Sequence, residues 1–172
     1  MSATNRGAER IDKDAYPTPL YSIFPLLAKI DFSKVKTFLE PCKGDGRILN
    51  LLPNNIEKYW CEIGEGKDYF ENNFKDIDLI ITNPPFSISI EFLEKSLKEG
   101  KTVCYLQRVN WLGSKIRKDF WNYNTPDKMF VLSKRPNFLK ELGIKGTGDA
   151  TEYAWFIWDR LNIVIGKHIE IL

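Results

Sequence analysis

The sequence predicts an α/β protein with a doubly wound, mainly parallel sheet, and three observations carry that expectation. Short apolar runs of β-type residues alternate with amphipathic stretches of helical spacing. One such run passes through a glycine-rich turn into a helical segment at 38–49. The length of 172 residues, with 43% apolar and 13% aromatic side chains, suits a single core that needs no staples.

Residues 1–14 are polar, charged and without periodicity, and read as a flexible arm before one domain over 15–172. Thr18-Pro19 reads as a helix start, with Thr18 as N-cap and Pro19 at the first helical position. Leu20, Ile23, Phe24, Leu27 and Ile30 follow at helical spacing, and Pro25 is expected to kink or delay that helix. Strands are predicted over 36–39, 59–63, 79–82, 103–106, 129–132 and 153–158, and helices over 47–52, 88–98 and 112–121. The last two strands bracket a glycine-containing stretch, 134–152, without a helical pattern, which predicts an antiparallel hairpin with a long loop. Residues 162–172 alternate apolar and polar positions around Gly166 and predict a small hairpin or an edge strand.

Several function classes drop out. Cys42, Cys61 and Cys104 are odd in number and form no C-x-x-C pair, which argues for a reducing compartment and against a disulfide framework or a metal site. His168 is the only histidine, so histidine-based triads and acid–base schemes have little to work with. No apolar run approaches the ~20 residues that span a bilayer, and the N-terminus is polar, so the expected location is cytoplasmic with no membrane partner. The net charge of +2 leaves a nucleic-acid partner open.

The chemistry concentrates at two strand ends. Phe38-Leu39-Glu40-Pro41-Cys42-Lys43-Gly44-Asp45-Gly46 reads as a strand and a glycine turn, but the spacing matches neither G-x-G-x-x-G nor the P-loop. An acid at the strand end repels a pyrophosphate and suits a ligand carrying an ammonium and a sulfonium, the charge pattern of S-adenosylmethionine. Glu62 follows the next strand and can accept hydrogen bonds from two ribose hydroxyls. Asp68 can accept from an adenine amino group while a neighbouring aromatic packs on the ring.

Asn83-Pro84-Pro85-Phe86 ends the third strand-like run and is the strongest feature. A planar amine or amide nitrogen is a poor nucleophile because its lone pair is delocalised. The Asn83 side-chain oxygen and the Pro84 carbonyl offer two acceptors for its two N–H groups, which favours a tetrahedral nitrogen. Consecutive prolines hold that geometry by fixing their own φ and biasing the preceding residue toward extended backbone. Phe86 offers a face for a flat target, which must be flipped out or single-stranded if it is a nucleobase.

On these residues the chain resembles the S-adenosylmethionine-dependent N6-adenine DNA methyltransferases, and looks most like their compact phage and prophage members. The order is similar throughout: Tyr16-Pro17-Thr18-Pro19, then Glu40-Pro41-x-x-Gly44-x-Gly46, Glu62, Asp68 and Asn83-Pro84-Pro85-Phe86. Arg135-Pro136-Asn137-Phe138 and Tyr153-Ala154-Trp155-Phe156-Ile157-Trp158 are similar to segments near the ends of such enzymes. The resemblance implies a Rossmann-like methyltransferase fold and methyl transfer from S-adenosylmethionine to adenine N6 in DNA. It implies cofactor contacts from Glu40, Pro41, Cys42, Gly44 and Gly46 around the methionine part, from Glu62 at the ribose, and from Asp68 and Tyr69 at the adenine. Tyr16 and Thr18 at a helix start would meet the cofactor carboxylate, consistent with exposed N–H groups there. Asn83, Pro84, Pro85 and Phe86 would receive the target adenine, and Asn83 would also touch the cofactor. Lys43 departs from the small residue usual at that position and must point outward for the cofactor to bind.

The candidates for gripping nucleic acid are Arg108, Trp111 and Lys115 after the strand expected over 103–106, and Arg135, with Lys134, Lys140 and Lys145 in the 134–151 stretch. The same chemistry on an RNA adenine or a protein glutamine amide remains open, as does a non-catalytic module that binds S-adenosylmethionine. Recognition sequence and oligomeric state are not encoded in these motifs.

Overall fold

A computed structural model describes residues 16–144 and 150–172, so the expected arm over 1–14 and Lys145 lie outside the described residues. Seven strands form one sheet: β1 (Thr37–Glu40), β2 (Glu57–Trp60), β3 (Ile77–Thr82), β4 (Gly100–Arg108), β5 (Lys128–Val131), β6 (Tyr153–Asp159) and β7 (Ile169–Ile171). Their spatial order is β2-β1-β3-β4-β6-β5-β7. β2, β1, β3 and β4 pair in parallel, β6 runs antiparallel to both β4 and β5, and β7 lies parallel to β5. From β1 the chain moves outward to β2 and returns to the opposite side of β1 for β3, so the order reverses between β1 and β3. Such a reversal opens a crevice beyond the carboxyl ends of the two strands, here at Glu40 and Thr82.

β3 and β6 are buried at every position, which is why both read as continuous apolar runs. Alternate side chains feed two cores. Phe38, Leu79, Ile81, Leu106 and Trp155 face α1 (Leu20–Leu27), α2 (Arg47–Leu51) and α5 (Phe138–Glu141). Leu39, Ile80, Val103, Tyr105 and Phe156 face α3 (Ser89–Glu99) and α4 (Lys118–Tyr123). Helices cover both faces of the sheet, the doubly wound arrangement expected from the alternation. No helix among the described residues is long and apolar enough to cross a membrane.

Several local expectations are corrected. Thr18 is not an N-cap: Pro19 precedes α1 at ψ 134°, outside helical space, and Ser22 donates both its N–H and its hydroxyl to the Pro19 carbonyl. Pro25 sits inside α1, which ends at Leu27. The helix expected over 112–121 starts only at Lys118, after a 3-10 turn at Val109–Trp111, because the Arg117 guanidinium turns back onto the Trp111 carbonyl. The 134–152 stretch holds the short helix α5, capped by the Asn137 side chain, and is too brief there to display a period. Residues 162–172 give an edge strand beside β5, without a hairpin.

Candidate active site

A cavity of about 440 Å³ opens at the β1/β3 reversal, a size within the range of small-molecule sites. Its wall includes Tyr16, Thr18, Glu40, Pro41, Cys42 and Gly44, together with Glu62, Asp68, Tyr69, Asn83 and Pro85. Ten of the eleven positions expected to touch a cofactor therefore converge, although they come from segments far apart in sequence. Gly46 is the exception: it is buried beside the cavity at φ 80° and starts α2.

The glycine turn is built by conformation more than by space. Gly44 has φ 54°, and a Cβ added there would meet nothing within 4 Å, so its requirement is the left-handed backbone. Its N–H donates to Glu62 Oε2 at 2.7 Å, and Gly64 N–H donates to Glu62 Oε1 at 3.1 Å. Glu62 thereby tethers two loops and keeps lone pairs for another donor. It lies two positions beyond the end of β2, as the N-cap of the Ile63–Glu65 turn, so the expected strand-tip placement is corrected to a loop. Asp68 caps the turn Tyr69–Glu71 by accepting from Phe70 N at 2.8 Å.

The charge balance of the wall is acidic. Lys43 is part of the cavity wall instead of pointing clear of it, and its ammonium pairs with Glu65 at 2.6 Å and rests over the Trp60 ring at 3.9 Å. Arg47 pairs with Asp45 at 2.6 Å and with Glu141. Glu40, Glu62 and Asp68 remain, none of them in an ion pair among the described residues. Glu40 is 2% exposed and accepts from Leu49 N at 2.9 Å. Burial pushes its carboxyl well above the usual range, and the nearby Asp45 and Glu62 add to the shift. Burial, then the charges of Glu62 and Glu40, likewise raise the Cys42 thiol. Cys42 is thus protonated near neutral pH and is no nucleophile. The carboxylates of Glu62 and Asp68, in no ion pair among the described residues, favour a cationic ligand and disfavour a phosphate-rich one.

Asn83 follows β3 directly and is half-buried. Its amide nitrogen donates to the Tyr16 carbonyl at 3.4 Å, which sets the amide orientation, since the flipped form would place two oxygens together. Its Oδ1 is then buried and has no hydrogen-bond partner among the described residues. Orphaned acceptors of this kind are rare and ask for a donor the chain does not supply.

Other expected residues fall elsewhere. Pro84 is buried and does not reach the cavity wall. Phe86 also stays off the wall: it packs against Tyr153 at 6.0 Å, and the Arg108 guanidinium lies 5.3 Å above its ring, so its aromatic face is already covered. Trp111 is 6% exposed and packs edge-on against Trp121 and Phe156, which removes it as a stacking platform for bases. Lys115 is exposed, and Arg135 is exposed and paired with Glu152. Tyr69 is a core residue with its hydroxyl on Ser96 and Glu99. The uncovered aromatic on that side is Phe70, edge-on to Phe92 at 4.8 Å, and both line the cavity. Sequence reasoning missed them because the tight turn after Asp68 decides which neighbour turns inward.

No protein-family model matches the chain, and no curated protein matches it. Solved structures do. A Listeria monocytogenes protein described as a class I S-adenosylmethionine-dependent methyltransferase is 13% identical with a TM-score of 0.61, covering 94% of this chain and 67% of that one. A Pyrococcus horikoshii protein described as an RNA methyltransferase is 16% identical with a TM-score of 0.54, covering 84% of this chain and 79% of that one. At such identities the likeness is one of architecture, and together with the sheet order it gives this chain the Rossmann-like methyltransferase fold.

Proposed function

We propose that the protein transfers a methyl group from S-adenosylmethionine to the exocyclic N6 amino group of adenine in DNA. The observation that carries this reading is Asn83 on the wall of an acidic cavity, with its Oδ1 buried and without a hydrogen-bond partner among the described residues. When bound, S-adenosylmethionine supplies a methyl group on a positively charged sulfur, which an amine takes by displacement. Glu40, Glu62 and Asp68 fit that ligand, because the carboxylates of Glu62 and Asp68 suit its cationic centres and the carboxyl oxygens of all three can accept from its ammonium, hydroxyl and amino donors. Phe70 and Phe92 give the apolar wall that an adenine ring requires beside Asp68.

Asn83 performs the step that the amine cannot perform alone. Its Oδ1 accepts one N–H of the target, which helps to localise the nitrogen lone pair. After transfer the alkylated nitrogen is acidic and releases its proton to water, so no ionised general base is needed. Lys43, the one feature that favours a non-catalytic module, is held by Glu65 and Trp60.

Asn83→Ala tests the scheme. With methyl-labelled S-adenosylmethionine and separated DNA, RNA and protein pools, transfer to DNA is expected to fall by about 100-fold or more while cofactor affinity by calorimetry stays close to wild type. Wild-type turnover in that variant, or label in RNA or protein alone, overturns the reading.

A further inference from the structure

Ile116 is 95% exposed, the most exposed of the large apolar side chains among the described residues. A lone exposed isoleucine is common on protein surfaces, and it is the charged setting of this one that matters. Its immediate neighbours are Lys115, Arg117 and Lys118, and the nearest acid in sequence is Asp119. Lys115 and Lys118 are exposed and form no ion pair among the described residues. An apolar tip set among cations is a poor surface for a protein core and a good one for a polyanion with stacked apolar bases.

The tip stands on a braced base. Trp111 is anchored in the core against Trp121 at 4.9 Å and Phe156 at 5.4 Å. Arg117 Nε and Nη2 donate to the Trp111 carbonyl at 3.0 and 2.9 Å, which pins both ends of the loop and leaves Lys115 and Ile116 projecting. A preorganised protrusion loses little freedom on binding. The loop also leaves the carboxyl end of β4, the same end of the sheet at which Asn83 follows β3. It follows β4, the neighbour of β3, and the last residue of β4, Arg108, reaches over Phe86 of the Asn83-Pro84-Pro85-Phe86 segment.

We propose that Ile116 is a wedge that enters a DNA duplex while Lys115 and Lys118 hold flanking phosphates, so that the extruded base is delivered toward Asn83. This rests on the proposed reading that the substrate is an adenine in DNA. Extruding a base breaks stacking on both its sides, and an apolar side chain in the gap replaces part of that contact. The wedge serves only a stacked duplex. A single strand presents its bases already separated and has no use for it.

The test compares sheared genomic DNA in native and heat-denatured form, with methyl-labelled S-adenosylmethionine. Ile116→Ala is expected to lower the rate on native DNA by at least about tenfold, the equivalent of one lost stacking contact, and to leave the rate on denatured DNA within about twofold. Ile116→Leu is expected to retain duplex activity. Lys115→Ala/Lys118→Ala is expected to weaken both substrates and flatten the salt dependence of binding. Unchanged duplex rates for Ile116→Ala, equal losses on both forms, or a wild-type enzyme that modifies only denatured DNA overturn the wedge and leave the proposed reaction standing. A wild-type enzyme that labels no DNA removes the reaction, and the wedge with it.

Discussion

Glu40 ends β1 as a buried acid whose one hydrogen bond comes from Leu49 N and which forms no ion pair among the described residues. Its folded-state carboxyl titrates above the ordinary value, so the unfolded chain binds fewer protons than the folded one between the two values. Stability contributed at that site is present in acid and is lost as pH rises from the ordinary glutamate range. Glu40→Gln keeps an acceptor for Leu49 N and removes the charge. The variant is expected to melt higher than wild type in mildly alkaline buffer, to lose that advantage in acid, and to bind S-adenosylmethionine at least about tenfold more weakly. Equal melting temperatures across pH with unchanged affinity would show that Glu40 titrates as it does in the unfolded chain and does not serve the ligand. Glu40 and Asn83 could be placed from the sequence because strand ends are marked by where apolar runs stop, whereas Glu62 lies in the loop beyond its strand. The choice of Phe70 over Tyr69, and the burial of Trp111, were not legible, since an aromatic side chain looks the same in a core and on a surface.

Between α3 and β4, Gly100 illustrates how one residue sets the fit of two elements. Its φ of −109° suits any residue, so conformation does not require glycine there. Space does: a Cβ would stand 2.6 Å from Ile80 Cδ1 and 2.8 Å from Ile80 Cγ1, inside the core on β3. Gly100→Ala is expected to destabilise by about 1–3 kcal/mol through overpacking, and Ile80→Val in the same chain to recover part of it by removing Cδ1. Strictly additive losses in a denaturant double-mutant cycle would place the strain elsewhere. The same dependence on packing explains which elements could be read in advance. β3 and β6 announced themselves as apolar runs because both faces are buried. β2 begins at Glu57, earlier than its apolar residues suggest, because its first positions pair with Thr37 and Phe38 while their side chains are polar. α4 begins late because Arg117 is recruited by the Trp111 carbonyl, a contact that no helical period encodes.

Across the whole molecule, the reversed strand β6 must be locked to parallel neighbours, and Asp159 at its end does this. The carboxylate is buried and accepts from Thr102 Oγ1 on β4 at 3.0 Å and from Lys128 Nζ on β5 at 3.1 Å. It also accepts from Ile163 N at 3.0 Å and Val164 N at 2.9 Å, fixing the segment that leads to β7. Burial alone would raise its pKa, but those four donors outweigh it and hold the carboxyl below the ordinary aspartate value. A depressed folded-state pKa means the unfolded chain takes up the proton first, so this stabilisation is complete above the ordinary aspartate range and disappears as pH falls through the lower folded value. Asp159→Asn leaves Lys128 without its partner in a site where that side chain is 14% exposed. Loss of about 3 kcal/mol is therefore expected at neutral pH, read from denaturant midpoints, with the gap to wild type closing in strong acid. A constant difference at every pH would mean that packing, and not the charge, joins β4, β5 and β6 at this end of the sheet.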